Sequence, residues 1–240
     1  MLRVGITTDW EKGARGARQI LNRDYFEWLY EAGLIPVALP ALPGSEDRAL
    51  EGLSALVLSG GHDIAPEFYG GDPEPLPSET FSSRDRTAYE FALVWRSLRI
   101  NLPMLGICLG CQTLATALGG DLIRHLEDPH FRHRRRSSEG PPARHRLRVD
   151  GGSLAAALYP SAETRVMSSH HQALGRLPPG WRATAWGPDD VVEAIECTGH
   201  PRAMGIQWHP ERSLRSQCSL NLALWLKRQA EAYQRELDKP

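Results

Sequence analysis

Ten residues, Pro103-Met-Leu-Gly-Ile-Cys-Leu-Gly-Cys-Gln112, constrain the fold of this chain more than any other stretch. The apolar run Met104–Ile107 has the length and composition of a buried strand, and from Gln112 onward the apolar spacing is helical. A cysteine between them, flanked by Gly106 and Gly110 at −2 and +2, predicts a strand–turn–helix elbow of the Gly-x-Ser-x-Gly kind, with sulfur replacing oxygen. Small flanking residues let strand and helix approach closely while the central residue takes an unusual backbone conformation. The unpaired N–H groups at a helix start favour a thiolate there. Cys108 is therefore the candidate nucleophile. A buried structural cysteine is the competing reading. Cys108-x-x-Cys111 also imitates half of a redox or zinc motif, but no second such pair completes it.

The elbow needs a sheet around it, and the flanking sequence supplies one. Strands are expected at 2–7, 34–39, 55–59 and 104–107, alternating with helices near 20–32, 46–53 and 83–98, the signature of a parallel sheet covered on both faces. Residues 11–18, rich in Gly and Arg, read as a loop. Residues 60–82, rich in Pro and Gly, read as a long loop of the kind that usually carries function. Beyond the elbow helix, a strand at 121–126, a polar basic interruption at 127–144, short strands at 145–149, 165–168, 181–186, 191–197 and 203–209, and a closing helix at 214–237 are expected. With 240 residues and no visible linker or repeat, one domain over residues 1–240 is the expectation.

Two further segments supply partners for the thiol. In Gln207-Trp-His-Pro-Glu211 a strand ends near His209, and Pro210 sets the bend that lets Glu211 face the same crevice. A cysteine nucleophile needs such a base, and the base needs a carboxylate on its other nitrogen. After the strand at 55–59, Gly60-Gly61 exposes backbone N–H groups that, with the N–H of Leu109, could hold an oxyanion. Ser169-His-His-Gln172, just past a strand, is a candidate pocket lining or an ordinary capping segment.

Taken together, Gly-Ile-Cys-Leu-Gly-x-Gln and Gln-Trp-His-Pro-Glu resemble the class I glutamine amidotransferases. The loop from Gly60 to Tyr69, Arg84-Asp85 with Glu90, and Ser169–Gln172 resemble their stand-alone branch, the γ-glutamyl-γ-aminobutyrate hydrolases. The resemblance implies an α/β, flavodoxin-like three-layer sandwich with a central, mostly parallel sheet and a small antiparallel sheet. It implies a catalytic triad of Cys108, His209 and Glu211 and an oxyanion hole from Gly60 or Gly61 with Leu109. Gln112 with Ser169, His170, His171 and Gln172 would hold the two ends of a glutamyl group. The implied activity is hydrolysis of γ-glutamyl amides through a glutamyl thioester. The hydrolase branch commonly has Arg after the nucleophile; Leu109 is the choice usual in synthetase-linked enzymes, so a glutaminase subunit feeding ammonia to a separate synthetase is the alternative.

Net charge of −1 selects neither nucleic acid nor membrane. The run His130–Arg136 is basic, but Phe131 alone interleaves it, against a single-strand-binding surface. No metal or organic cofactor is expected, and Cys111, Cys197 and Cys218 read as structural. The expected partner is a small γ-glutamyl molecule, with a homodimer left open. Four cysteines and a first strand beginning at residue 2 point to the cytoplasm.

Overall fold

The structure is a computed structural model that describes residues 1–13, 16–128, 130, 132–135, 137, 140–159 and 165–239. Strand β1 (Arg3–Thr7) is followed by a hairpin of β2 (Asp9–Gly13) and β3 (Gly16–Ile20), then α1 (Arg23–Glu31) and β4 (Ile35–Leu39). Next come α2 (Glu46–Leu50), β5 (Ala55–Leu58), α3 (Arg84–Arg99), the elbow strand β6 (Met104–Ile107) and α4 (Leu109–Ala117). The second half holds β7 (Leu122–Ile123), β8 (Ala143–Arg146), β9 (Arg148–Val149), α5 (Leu154–Leu158), β10 (Arg165–Ser168) and β11 (Ala173–Leu174). Strands β12 (Trp181–Trp186), β13 (Val192–Cys197) and β14 (Ala203–Ile206) precede the closing helix α6 (Gln217–Leu237).

Among the described residues, eight strands form one sheet in the order β4-β1-β5-β6-β14-β13-β12-β9. The first five run parallel and the last three antiparallel. The expected small antiparallel pairing is present outside this sheet, as β8–β10, β7–β11 and β2–β3. Side chains alternate across the sheet, so both faces are buried and each needs helices. Val57, Leu105, Ile107 and Ile206 pack with Trp28 and Leu29 of α1 and with Leu222 and Trp225 of α6. Leu56, Leu58 and Met104 pack on the other side with Leu93 and Val94 of α3 and Leu114 of α4. This is the three-layer arrangement the strand–helix alternation implies.

Register decides where chemistry can occur. Leu58 lies beside Gly106, and Ile107 beside Ile206, so β5, β6 and β14 end at the same level on one edge of the sheet. Residues 59–61, 108 and 207–209 therefore leave the sheet together, at the carboxyl ends of parallel strands where ligand crevices form.

Several boundaries differ from expectation. The stretch expected as a loop at 11–18 is part of a hairpin, with Glu11 opposite Arg18 and joined to it at 2.8 Å. Helix α1 consequently begins at Arg23, not near residue 20. Only Leu122–Ile123 of the strand expected at 121–126 forms, and it pairs with β11 away from the central sheet. Strand β14 stops at Ile206 rather than His209, and α6 starts at Gln217 rather than 214. Helix α5, capped by Ser153 Oγ accepting from the Ala156 N–H, was not expected. In the basic run, Phe131 and Arg136 lie outside the described residues. His133, within the same run, is buried.

Candidate active site

Cys108 is the residue between β6 and α4, at φ 54° and ψ −107°. That backbone costs about 1–3 kcal/mol for a residue with a side chain and persists only where the surroundings enforce it. They do. A Cβ on Gly106 would start 2.4 Å from the Gly110 carbonyl oxygen, and one on Gly110 would start 2.1 Å from the Leu58 oxygen. The two glycines are thus required by contact with backbone, which cannot move aside. The Cys108 N–H donates to the Ile206 oxygen at 2.8 Å, tying the elbow to the segment that leads to His209. Cys111 is fully buried, and burial pushes its thiol pKa well up, so of the Cys-x-x-Cys pair only Cys108 meets the crevice.

The ring of His209 reaches Cys108 from β14. A Cβ on Gly60 would lie 3.1 Å from His209 Cε1 and 3.6 Å from Cys108 Cβ, so the ring and the thiol-bearing carbon border one point. Burial disfavours a charged ring, yet Glu211 and the hydrogen-bonded Cys108 outweigh it and raise the His209 pKa to about 9. His209 Nδ1 is 2.7 Å from Glu211 Oε1. Pro210 and Glu211 form a short 3₁₀ turn anchored by Ser219 Oγ, which donates to the Pro210 carbonyl. The His209 N–H donates to Met167 O at 2.9 Å, which ties its backbone to β10.

The Gly-Gly pair is not symmetric. The Gly60 N–H donates to Tyr25 Oη at 2.8 Å. The Gly61 N–H has no acceptor among the described residues, and the Leu109 N–H, first in α4, has no intrahelical one. Beneath them lies Arg86, a residue the sequence did not single out. It is fully buried, its Nη2 donates to the carbonyls of Ser59 and Gly60 at 3.1 Å each, and its other nitrogens pair with Glu90 at 2.9 Å and Asp9 at 2.7 Å. A Cβ on Gly61 would come within 2.2 Å of Arg86 Nη1, so glycine is needed there. Arg84, expected as part of this motif, is instead on the surface beside Glu67. The readable signal for Arg86 was its i,i+4 spacing to Glu90.

Two crevices meet at Gly61, His62, Cys108 and Ser169. One, of about 230 Å³, is bordered also by Gln112, Asp63 and His171. The other, of about 240 Å³, opens past His209 toward Asp9, Asn22 and Arg212. In the first, Gln112 Nε2 donates to Gln172 O at 3.2 Å and to Gln207 Oε1 at 3.3 Å, and His171 Nε2 is 3.1 Å from the Asp63 carboxylate. The Ser169 carbonyl lies 4.0 Å from Cys108 Sγ. Of the expected binding residues, Gly61, Gln112, Ser169 and His171 come together around the thiol. His170 borders the same crevice, but its Nε2 faces Glu193, 3.4 Å away.

Comparison with known proteins finds relatives along most of the chain. The family profile described as peptidase C26 matches residues 4–211. A Mycobacterium tuberculosis protein whose name suggests a glutamine amidotransferase is 37% identical over 219 residues, 88% of this chain and 70% of that one. The γ-glutamyl-γ-aminobutyrate hydrolase of Escherichia coli K12 is 33% identical over 206 residues, 81% of this chain and 80% of the other. A crystal structure of a glutamine amidotransferase from Thermotoga maritima, 21% identical, superposes with a TM-score of 0.59 over 100% of this chain and 86% of its own.

Proposed function

The chain belongs to the peptidase C26 family, and from that premise we propose that it is a cysteine hydrolase of γ-glutamyl amide bonds. In this reading Cys108 Sγ attacks the γ-carbonyl carbon, and the developing oxyanion is held by the N–H groups of Gly61 and Leu109. Imidazolium at His209 gives its proton to the departing amine, leaving a glutamyl thioester on sulfur. His209, now neutral, takes a proton from water as water attacks the thioester. Glutamate leaves, and the thiolate–imidazolium pair is restored. Glu211 keeps the His209 ring in the orientation and tautomer this exchange needs.

The observation that carries the proposal is the strained Cys108 at the meeting point of two crevices, with the Glu211-bound His209 ring beside it. The division of the crevices gives each half of the substrate a side. Gln112 spends its amide protons inside the protein, leaving its carbonyl oxygen to accept from a glutamyl ammonium group, with Asp63 nearby. The leaving amine occupies the crevice that contains His209, where Arg212 favours an amine bearing an acidic group.

The test is release of glutamate from a panel of γ-glutamyl amides by the isolated protein. Turnover of at least one amide that falls about 10³-fold or more in C108A is expected. No turnover of any of them, by protein whose Cys108 alkylates readily, overturns the proposal. Leu109 supports a second reading, a glutaminase subunit, and the same panel separates the two. A subunit would turn over glutamine alone, and faster with its synthetase present.

A further inference from the structure

Away from the thiol, four buried side chains from four separate segments converge. They are His133 in the loop after β7, His145 on β8, His170 in the segment after β10, and Glu193 on β13, each side chain no more than 2% exposed. His133 Nδ1, His145 Nε2 and His170 Nε2 lie 3.2, 3.3 and 3.4 Å from Glu193 Oε1, and one donor atom from each of the four lies within 4.8 Å of the others. At these separations none of the inward atoms makes a well-aligned hydrogen bond.

The opposite ring nitrogens explain what faces inward. His145 Nδ1 meets the Arg146 carbonyl at 3.0 Å and His170 Nδ1 meets the Gln172 carbonyl at 2.9 Å. A carbonyl only accepts, so those nitrogens carry the hydrogens, and each ring, when it holds that single proton, turns a lone pair inward. His133 Nε2 is held by the Asp189 carboxylate at 2.9 Å in the same manner. With the rings neutral, three imidazole lone pairs and a carboxylate converge in the protein interior, a set of acceptors that needs a shared cationic partner. One divalent cation satisfies all four groups. Tetrahedral zinc with bonds of about 2.0–2.1 Å places its ligand atoms about 3.4 Å apart, close to the 3.2–3.4 Å between each ring and the carboxylate, while the four donor atoms as a set lie within 4.8 Å and would draw together around an ion. Outer carbonyl and carboxylate partners on each histidine are the usual support of such ligands.

We propose that His133, His145, His170 and Glu193 are a closed four-ligand site for a divalent transition-metal ion, zinc foremost, that fixes the segment 169–172 beside Cys108. The ion would be structural, because protein atoms fill all four positions. It would join the basic loop, β8, the segment after β10 and β13. The His170 and Ser168 contacts to the His133 carbonyl, at 2.8 and 2.9 Å, already draw the first and third of these together. The site is independent of the activity proposed above.

The test uses full-length protein stripped with a chelator and titrated with Zn²⁺ alone, and separately with Co²⁺. One ion bound per chain, with a raised Tm, is expected, as are intense tetrahedral cobalt bands lacking a sulfur charge-transfer band. E193Q and H145A should weaken zinc affinity about 10–100-fold, while H130A, an exposed histidine of the same loop, should not. No stoichiometric ion, an octahedral cobalt spectrum, or a thiolate band pointing to Cys108 would overturn the proposal. If the variants fail to fold, the wild-type cobalt spectrum alone decides it. Equal zinc affinity in E193Q and wild type would also overturn it.

Discussion

At the scale of single residues, the proposed chemistry depends on a proton that His209 holds and releases. Its ordinary pKa of 6.5 rises to about 9 because the attraction of Glu211 and Cys108 exceeds the cost of burying charge. The ring therefore stays protonated below about pH 9 and can supply the leaving amine. Above that it is neutral and cannot. The alkaline limb of kcat/KM should fall near pH 9, and E211Q should move that limb to lower pH while reducing kcat by about 10²-fold or more. A limb left in place by E211Q would show that Glu211 does not govern the ring. Sequence alone reached these residues because their spacing encodes local geometry: Pro210 between His209 and Glu211, and glycines two residues either side of Cys108. It did not reveal that the Gly60 N–H is already taken by Tyr25, since that contact joins residues far apart in the chain.

At the scale of elements, α3 acts on the site through one side chain. Arg86 turns inward from its first turn and holds the carbonyls of Ser59 and Gly60, which fixes the peptide that carries the Gly61 N–H. It is a positioning residue, and its removal strands the buried Glu90 and mostly buried Asp9 carboxylates. R86M should lose about 3–5 kcal/mol of stability. In the fraction that folds, kcat should drop about 10²-fold with little change in KM, as expected for a displaced oxyanion donor. Denaturant melts and steady-state kinetics would check both, and R84M, on the exposed face of the same helix, should match wild type. A rise in KM at constant kcat in R86M would instead assign Arg86 to substrate binding. The helix was legible in the sequence, but its inward face was not: the i,i+4 spacing to Glu90 hints at Arg86, and the contacts to Ser59 and Gly60 that set it apart from Arg84 come only with folding. The β2–β3 hairpin escaped for a related reason, since its polar, charged strands carry no apolar alternation.

At the scale of the whole molecule, parallel register does what no local motif can. Residues 59–61, 108 and 207–209 are distant in sequence, yet β5, β6 and β14 end side by side and deliver them to one crevice. Strand–helix alternation announced that sheet, which is why so much of the fold could be read in advance. The four-residue histidine and glutamate cluster could not, because its members lie 12, 25 and 23 positions apart on elements whose pairing only the folded chain defines. No described helix is long and apolar enough to cross a membrane. The central claim is that sulfur at position 108 carries the glutamyl group during turnover. Acid quenching during turnover of a γ-glutamyl amide, followed by mass spectrometry of the peptide containing Cys108, tests it most directly. One glutamyl group added at Cys108, removed by hydroxylamine, is the predicted result; undiminished turnover by C108A, with no adduct on the wild-type peptide, would contradict it.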